Sequence, residues 1–233
     1  MRVAEISFQP LGPGIWDHAE LVSFCGVSLP HRMTIIRLRD GSLLLHSPTR
    51  CDRATKEALS RLGEVAHIVA PNGMHDLFLE NYRTEFPKAR LWIPAGVDKY
   101  FAKIPDAEHL PESDEDVPWR RDLSYVTVQG IPRLNECAFF HPASGSLILA
   151  DLLFNIERHN SAFIKMAARL GGFYRKLAMP SDIKWFLIRD KEAFRRSIQN
   201  VLSFPFANVV IGHGGNVIGG GREAFGRAFA WLR

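Results

Sequence analysis

Residues 69–77 read Val69-Ala70-Pro71-Asn72-Gly73-Met74-His75-Asp76-Leu77, in the order of a strand, a turn and a helix start. His67 to Ala70 is an apolar run of a length suited to a buried strand. Pro71 and Gly73 break that run. A helix is expected to open at Asp76 and to run to Phe86, where Pro87 stops it. In an α/β sheet a strand end leaves a crevice and a helix start offers unpaired N–H groups, so chemistry is expected at this turn.

Upstream, Met33 to Leu38, with β-branched Thr34, Ile35 and Ile36, and the apolar run Leu43 to His46 are joined by Arg39-Asp40-Gly41-Ser42, which predicts a hairpin. Asp52 is placed to cap a helix that runs to about Leu62 and closes at Gly63. Downstream, Leu91 to Ile93 is a short strand. Residues 94–118 are proline-rich and turn acidic, as expected of a solvated surface connection. Strands return at Leu123 to Val128, Glu136 to Phe140 and Leu147 to Ala150, the last two joined by a turn at His141-Pro142-Ala143-Ser144-Gly145-Ser146. Helices are expected from Asn160 to Leu177, from Lys191 to Leu202 and from Arg222 to Leu232, with a buried strand at Asn208 to Ile211. Helix and strand alternate in both halves, which implies a mixed sheet with crossover helices.

Composition narrows the class. A chain of 233 residues with 46% apolar and 23% charged content can bury one substantial core, so one domain over 1–233 is expected. A net charge of +4 without a concentrated basic, aromatic face argues against nucleic-acid binding. Cys25, Cys51 and Cys137 form no C-x-x-C pair, which fits a reducing cytoplasm better than a disulfide framework. Met1-Arg2-Val3-Ala4-Glu5 lacks a signal-peptide core, and no apolar run approaches the ~18 residues of a membrane span. A cytoplasmic location is the expectation. A small-molecule ligand is possible, and oligomeric state stays open.

Several phrases occur together: Arg32-Met33-Thr34 before the hairpin, Leu45-His46-Ser47-Pro48, Ala70-Pro71-Asn72, Phe139-Phe140-His141-Pro142, Leu149-Ala150-Asp151-Leu152-Leu153-Phe154-Asn155 and Gly212-His213-Gly214. In this order the chain, from about Met33 onward, resembles the metallo-β-lactamase superfamily, and within it a branch labelled a domain of unknown function. The resemblance implies an α/β fold, a four-layer αββα sandwich of two similar halves. Active members carry T-H-x-H-x-D-H at the strand-to-helix turn, and these residues hold one or two metal ions. On that pattern the threonine falls on Pro71 and the three histidines on Asn72, Met74 and Leu77. The aspartate falls on Asp76, and His75 fills a spacer position. A later ligand histidine is missing near Ile131 to Leu134, whereas the bridging aspartate falls on Asp151 and the last histidine on His213.

The resemblance therefore implies a degenerate metal site. Asp76, Asp151 and His213, joined by His75 after a small shift of the turn, are the candidate ligands for one divalent ion (Zn, Fe or Mn), if any binds. Asp76 is also the candidate catalytic residue, although a carboxylate at a helix start can equally be a cap worth about 0.5–2 kcal/mol. Ser47, Asn72 and His141 form the candidate substrate-binding set, with His141 also readable as a strand-end structural residue. Asp151 closes an apolar strand, and a buried carboxylate needs a cation, a metal or several donors. Two functions stay open: a catalytically silent member of the fold lacking dinuclear hydrolase activity, and a mononuclear metal-dependent hydrolase or oxidoreductase. Ser47 has no nucleophile-elbow motif, which disfavours a serine hydrolase. The basic face of the Asn160 to Leu177 helix reads first as solvated, and second as a lid for anionic substrates.

Overall fold

The computed structural model describes residues 6–24, 27–157, 159 and 161–232; Met1–Glu5, Cys25 and Asn160 lie outside them. The first half holds β1 (Gln9–Gly12), β2 (Ile15–Phe24), β3 (Val27–Arg37), β4 (Leu43–His46), α1 (Arg53–Leu62), β5 (Val65–Val69), α2 (Leu79–Glu85), β6 (Arg90–Ile93) and β7 (Glu108–His109). These strands form one seven-stranded sheet in chain order, antiparallel from β1 to β4 and parallel from β4 to β7. The second half holds β8 (Ser124–Thr127), β9 (Cys137–His141), β10 (Ser146–Ile148), β11 (Phe154–Asn155), α3 (Ala162–Leu170), α4 (Lys191–Ser203), β12 (Asn208–Val210), β13 (His213–Gly214) and α5 (Gly221–Ala228). Its main sheet runs β12-β10-β9-β8, and β11 pairs with β13 apart from it.

Period-two alternation sorts the side chains into layers. Met33, Ile35, Leu43, Leu45 and Ile68 face a core closed by Ala58 and Leu59 of α1 and by Leu79 and Tyr82 of α2. Their neighbours Ile36, Leu44 and Val69 face inward, against Phe139, Ile148 and Val210 of the other sheet. On the far side Phe140, Leu147 and Val209 pack on Phe194 and Ile198 of α4 and on Phe225 of α5. The three cores separate four layers: helices, sheet, sheet, helices. Each fully buried Leu, Ile or Phe contributes about 1.5–3 kcal/mol, so the cores are the main source of stability.

Local signals set most boundaries. The Asp52 carboxylate accepts from the Thr55 N–H at 2.8 Å and caps α1, and Gly63 ends that helix. Three expectations differ from what is found. The helix after the 69–77 stretch begins at Leu79, not Asp76, with Phe78 in the capping position. Residues 94–118 are not simply solvated, because Val97, Phe101, Ile104, Leu110 and Val117 are buried and β7 adds a sheet edge. The basic helix spans only Ala162–Leu170, since Gly171 and Gly172 (φ 83°) end it before Leu177.

Candidate functional site

Strands β4, β5, β10 and β12 all end on one side, and the loops beyond those ends meet there. The turn after β5 is pinned across both sheets. Cys137 donates its N–H to the Pro71 carbonyl at 2.8 Å, and Gly73 donates to the Leu134 carbonyl at 3.0 Å. Asn72 is thereby held between two carboxylates. Its amide nitrogen donates to Glu136 Oε2 at 3.0 Å and to Asp151 Oδ2 at 2.9 Å.

Glu136 is fully buried and accepts from three backbone N–H groups, those of Ala150 (2.9 Å), Asp151 (2.7 Å) and Leu152 (3.0 Å). It therefore fixes the turn that carries Asp151. Burial, reinforced by the Asp151 charge, still pushes the Glu136 carboxyl up to about 7.

Asp151 receives two imidazoles. His75 Nε2 lies 3.1 Å from Oδ2, and His213 Nε2 lies 2.8 Å from Oδ1. Burial alone would raise the Asp151 carboxyl, but the two rings hold it well below the usual range. The same pairing keeps His75 protonated above its ordinary value in spite of its burial.

A third ring, His31 on β3, joins this pair. Its centroid lies 5.0 Å from that of His75 and 6.0 Å from that of His213. One potential ligand nitrogen from each of His31, His75 and His213 lies within 4.8 Å of the other two, so these three side chains can hold a metal ion. Ligands at ~2.1 Å from one tetrahedral ion lie about 3.4 Å apart, so binding requires the rings to close by roughly 1 Å.

The outer nitrogen of each ring is already tethered. His31 Nε2 donates to the Pro48 carbonyl at 3.1 Å, which leaves the Nδ1 lone pair for a metal. Burial, with the neighbouring His75 and His213, lowers His31 to about 3, so the ring is neutral at pH 7. His75 Nδ1 lies 2.6 Å from the Ser47 hydroxyl. His213 Nδ1 donates to the Pro30 carbonyl at 2.6 Å. With Nδ1 on the Pro30 carbonyl, Nε2 is the His213 nitrogen that faces Asp151 and that an ion would take. Outer-nitrogen tethers of this kind orient metal-ligating histidines in general.

Of the residues singled out from sequence, His75, Asp151, His213, Asn72 and Ser47 are brought together. Asp76 and His141 are not. Asp76 is exposed, and its carbonyl accepts the Leu79 N–H outside the cluster. His75 takes the inward direction because the chain is still an irregular turn there; a helix at that point would have set a different phase. Asp76 therefore neither caps the helix nor joins the donor set. His141 is buried, but its Nδ1 bonds the Ser144 hydroxyl at 2.8 Å in its own turn. His31 was missed because β3 was read as starting at Met33. The signal was present, since His31, Met33 and Ile35 alternate on one face.

Arg32 ties the distant loops together. It pairs with Asp17 at 2.7 Å and donates through Nη1 to the carbonyls of Ile211 (2.6 Å) and Gly214 (2.8 Å). Asn216 donates to Asp17 at 3.0 Å and closes the bracket. Gly214 has φ 113°, and a Cβ there would stand 2.0 Å from the Asn155 carbonyl, so only glycine fits.

Comparison with solved structures agrees with this layered architecture. A metallo-beta-lactamase from Erythrobacter litoralis superposes with a TM-score of 0.68 at 14% identity, covering 100% of this chain and 98% of that one. A metallo-beta-lactamase from Pontibacter korlensis gives 0.65 at 13% identity, over 97% and 98%. The Flv1 flavodiiron core from Synechocystis sp. PCC6803 gives 0.66 at 10% identity, over 98% of this chain and 61% of that one. At such identities the likeness establishes the metallo-β-lactamase fold and nothing finer. No curated protein matches the sequence. Residues 13–183 match the model described as Domain of unknown function (DUF4336), and the chain belongs to that family, built on the metallo-β-lactamase fold.

Proposed function

We propose that this protein is a mononuclear metal-dependent hydrolase whose centre is formed by His31, His75, His213 and Asp151. The supporting observation is the convergence of three imidazoles from three separate segments, each tethered at its outer nitrogen, around one carboxylate. Three neutral nitrogens and one carboxylate oxygen suit Zn(II), and also Fe(II) or Mn(II). A divalent ion held there supplies Lewis-acid polarisation of a substrate and a lowered pKa for bound water.

The protein's own residues do the rest. Asp151 offsets the ion's charge and orients two of the rings. Glu136 and Asn72 hold Asp151, and Ser47 and the Pro30 and Pro48 carbonyls set ring orientation. His213 is the most accessible of the four side chains, 13% exposed against 7% for Asp151 and 3% for His75, so water and substrate enter from its side. Asp76 has no part in this centre.

A silent binding module is the second reading. It is favoured by the fact that Asp151 already has three hydrogen-bond partners without an ion. Elemental analysis after chelation and reloading with Zn(II) or Co(II) separates the two. The enzyme reading expects about one ion per chain in the wild type, and loss of tight binding in His31→Ala and His213→Ala. A wild type that retains no ion after reloading leaves the silent module.

A further inference from the structure

We propose that the face formed by α3 and residues 181–189 docks on an anionic lipid surface. Helix α3 turns Ile164 and Ala168 into a small core with Ile156, and Leu29 packs against that core. Its other large apolar side chains face solvent: Phe163 is 59% exposed, Met166 53% and Leu170 79%. At ~100° per residue these three fall within an arc of about 60°, away from the buried stripe. The next segment adds Trp185 at 69% and Phe186 at 71%. The two segments are stitched together, because Ser181 donates both its N–H (3.1 Å) and its hydroxyl (3.0 Å) to the Gly171 carbonyl, one residue past Leu170.

Charge identifies the partner. Residues 162–189 carry Lys165, Arg169, Arg175, Lys176, Lys184 and Arg189 against the single acid Asp182, which exceeds the whole chain's net +4. Lys165 and Arg169 lie to one side of the apolar arc on α3, and Lys184 stands over the Trp185 ring at 4.7 Å. Exposed Trp, Phe and Leu flanked by Lys and Arg match the interfacial pattern, in which apolar groups enter the headgroup boundary and cations meet anionic headgroups. No helix among the described residues is long and apolar enough to cross a membrane, so the contact is peripheral. A second copy is a poor occupant, because a two-fold interface would set this positive face against itself.

The test is co-sedimentation of the full chain with phosphatidylcholine vesicles, with and without phosphatidylserine. Binding is expected only to the anionic vesicles, and salt at about 1 M, where screening acts over ~3 Å, should abolish it. Trp185→Ser/Phe186→Ser and, independently, Lys165→Glu/Arg169→Glu should each weaken it by about tenfold or more, with circular dichroism unchanged because Arg169, Trp185 and Phe186 are exposed and Lys165 is half-buried outside the cores. No binding, equal binding to neutral vesicles, or binding that both double variants retain overturns the proposal. So does a concentration-dependent dimer in sedimentation velocity that the variants dissolve. A metal-free protein that still binds vesicles separates failure of the hydrolase proposal from failure of this one.

Discussion

His75 and Asp76 are adjacent in sequence and opposite in fate: one is 6% exposed in the cluster, the other stands in solvent. The quoted stretch identified the right turn, but motif spacing put Asp76 first and admitted His75 only after a shift of the turn, since side-chain direction in a turn depends on how it is pinned. Asp151→Asn tests the charged cluster directly. The amide keeps one accepting oxygen but carries no charge, so one ring loses its acceptor and both lose the anion they face. A loss of about 3 kcal/mol is therefore expected in urea unfolding of the metal-free protein. A change below about 0.5 kcal/mol would mean the rings are not charge-paired. Ser47 offers a second test, because it holds φ 56° while its hydroxyl meets His75. Both Ser47→Ala and Ser47→Gly lose that contact, but glycine removes the left-handed strain. The glycine variant should therefore be more stable than the alanine variant by about 1 kcal/mol, measured by the same method.

Among the elements, hairpin β3–β4, helix α1, strands β5 and β6 and the four strands of the second main sheet were legible because each has a local cause: alternation, a capping aspartate, a closing glycine. The β2–β3 ribbon was not, and His31 and Arg32 were undervalued with it. The Arg32–Asp17 pair brackets the loop that carries His213. Arg32→Met leaves Asp17 buried at 7% exposure without its cation, and is expected to cost about 3–5 kcal/mol. Arg32→Met/Asp17→Leu should recover a substantial part of that loss, and a double-mutant cycle on thermal or urea unfolding measures it. Additive losses would show that the pair does not act as a unit.

Across the whole molecule, buried histidines set the response to acid. His31 and His46 are lowered to about 3 and His67 to about 4, chiefly by burial, from an unfolded value near 6.5. Between those limits the unfolded chain binds more protons, so their stabilisation is complete above about pH 6.5 and falls as pH drops through about 4 and 3. Glu136, raised to about 7 by burial, acts in the opposite sense between about 4.5 and 7, and offsets one of the three. His75, held above its usual value, contributes stability that is lost as pH rises through that higher value. Urea midpoints of the metal-free protein should therefore peak near neutrality and fall by about pH 5. His46→Leu, which replaces a fully buried ring whose Nε2 has no hydrogen-bond partner among the described residues, should shallow the acid slope by about one proton. An unchanged slope would show that His46 titrates normally.

A mixed sheet with crossover helices could be read from residue order because hydrophobic period, capping and turn chemistry are local and repeat along the chain, while the four-layer arrangement followed from the resemblance to the metallo-β-lactamase superfamily. The cluster was legible only in part: His75, Asp151 and His213 were among its candidates, whereas His31 was not and Asp76 falls outside it. His31, His75, Asp151 and His213 come from four segments, brought together by the pairing of β3 with β4 and by the Arg32 bracket. Which side chain of an irregular turn points inward depends on contacts with residues far away in the chain, and spacing along one segment carries no record of them.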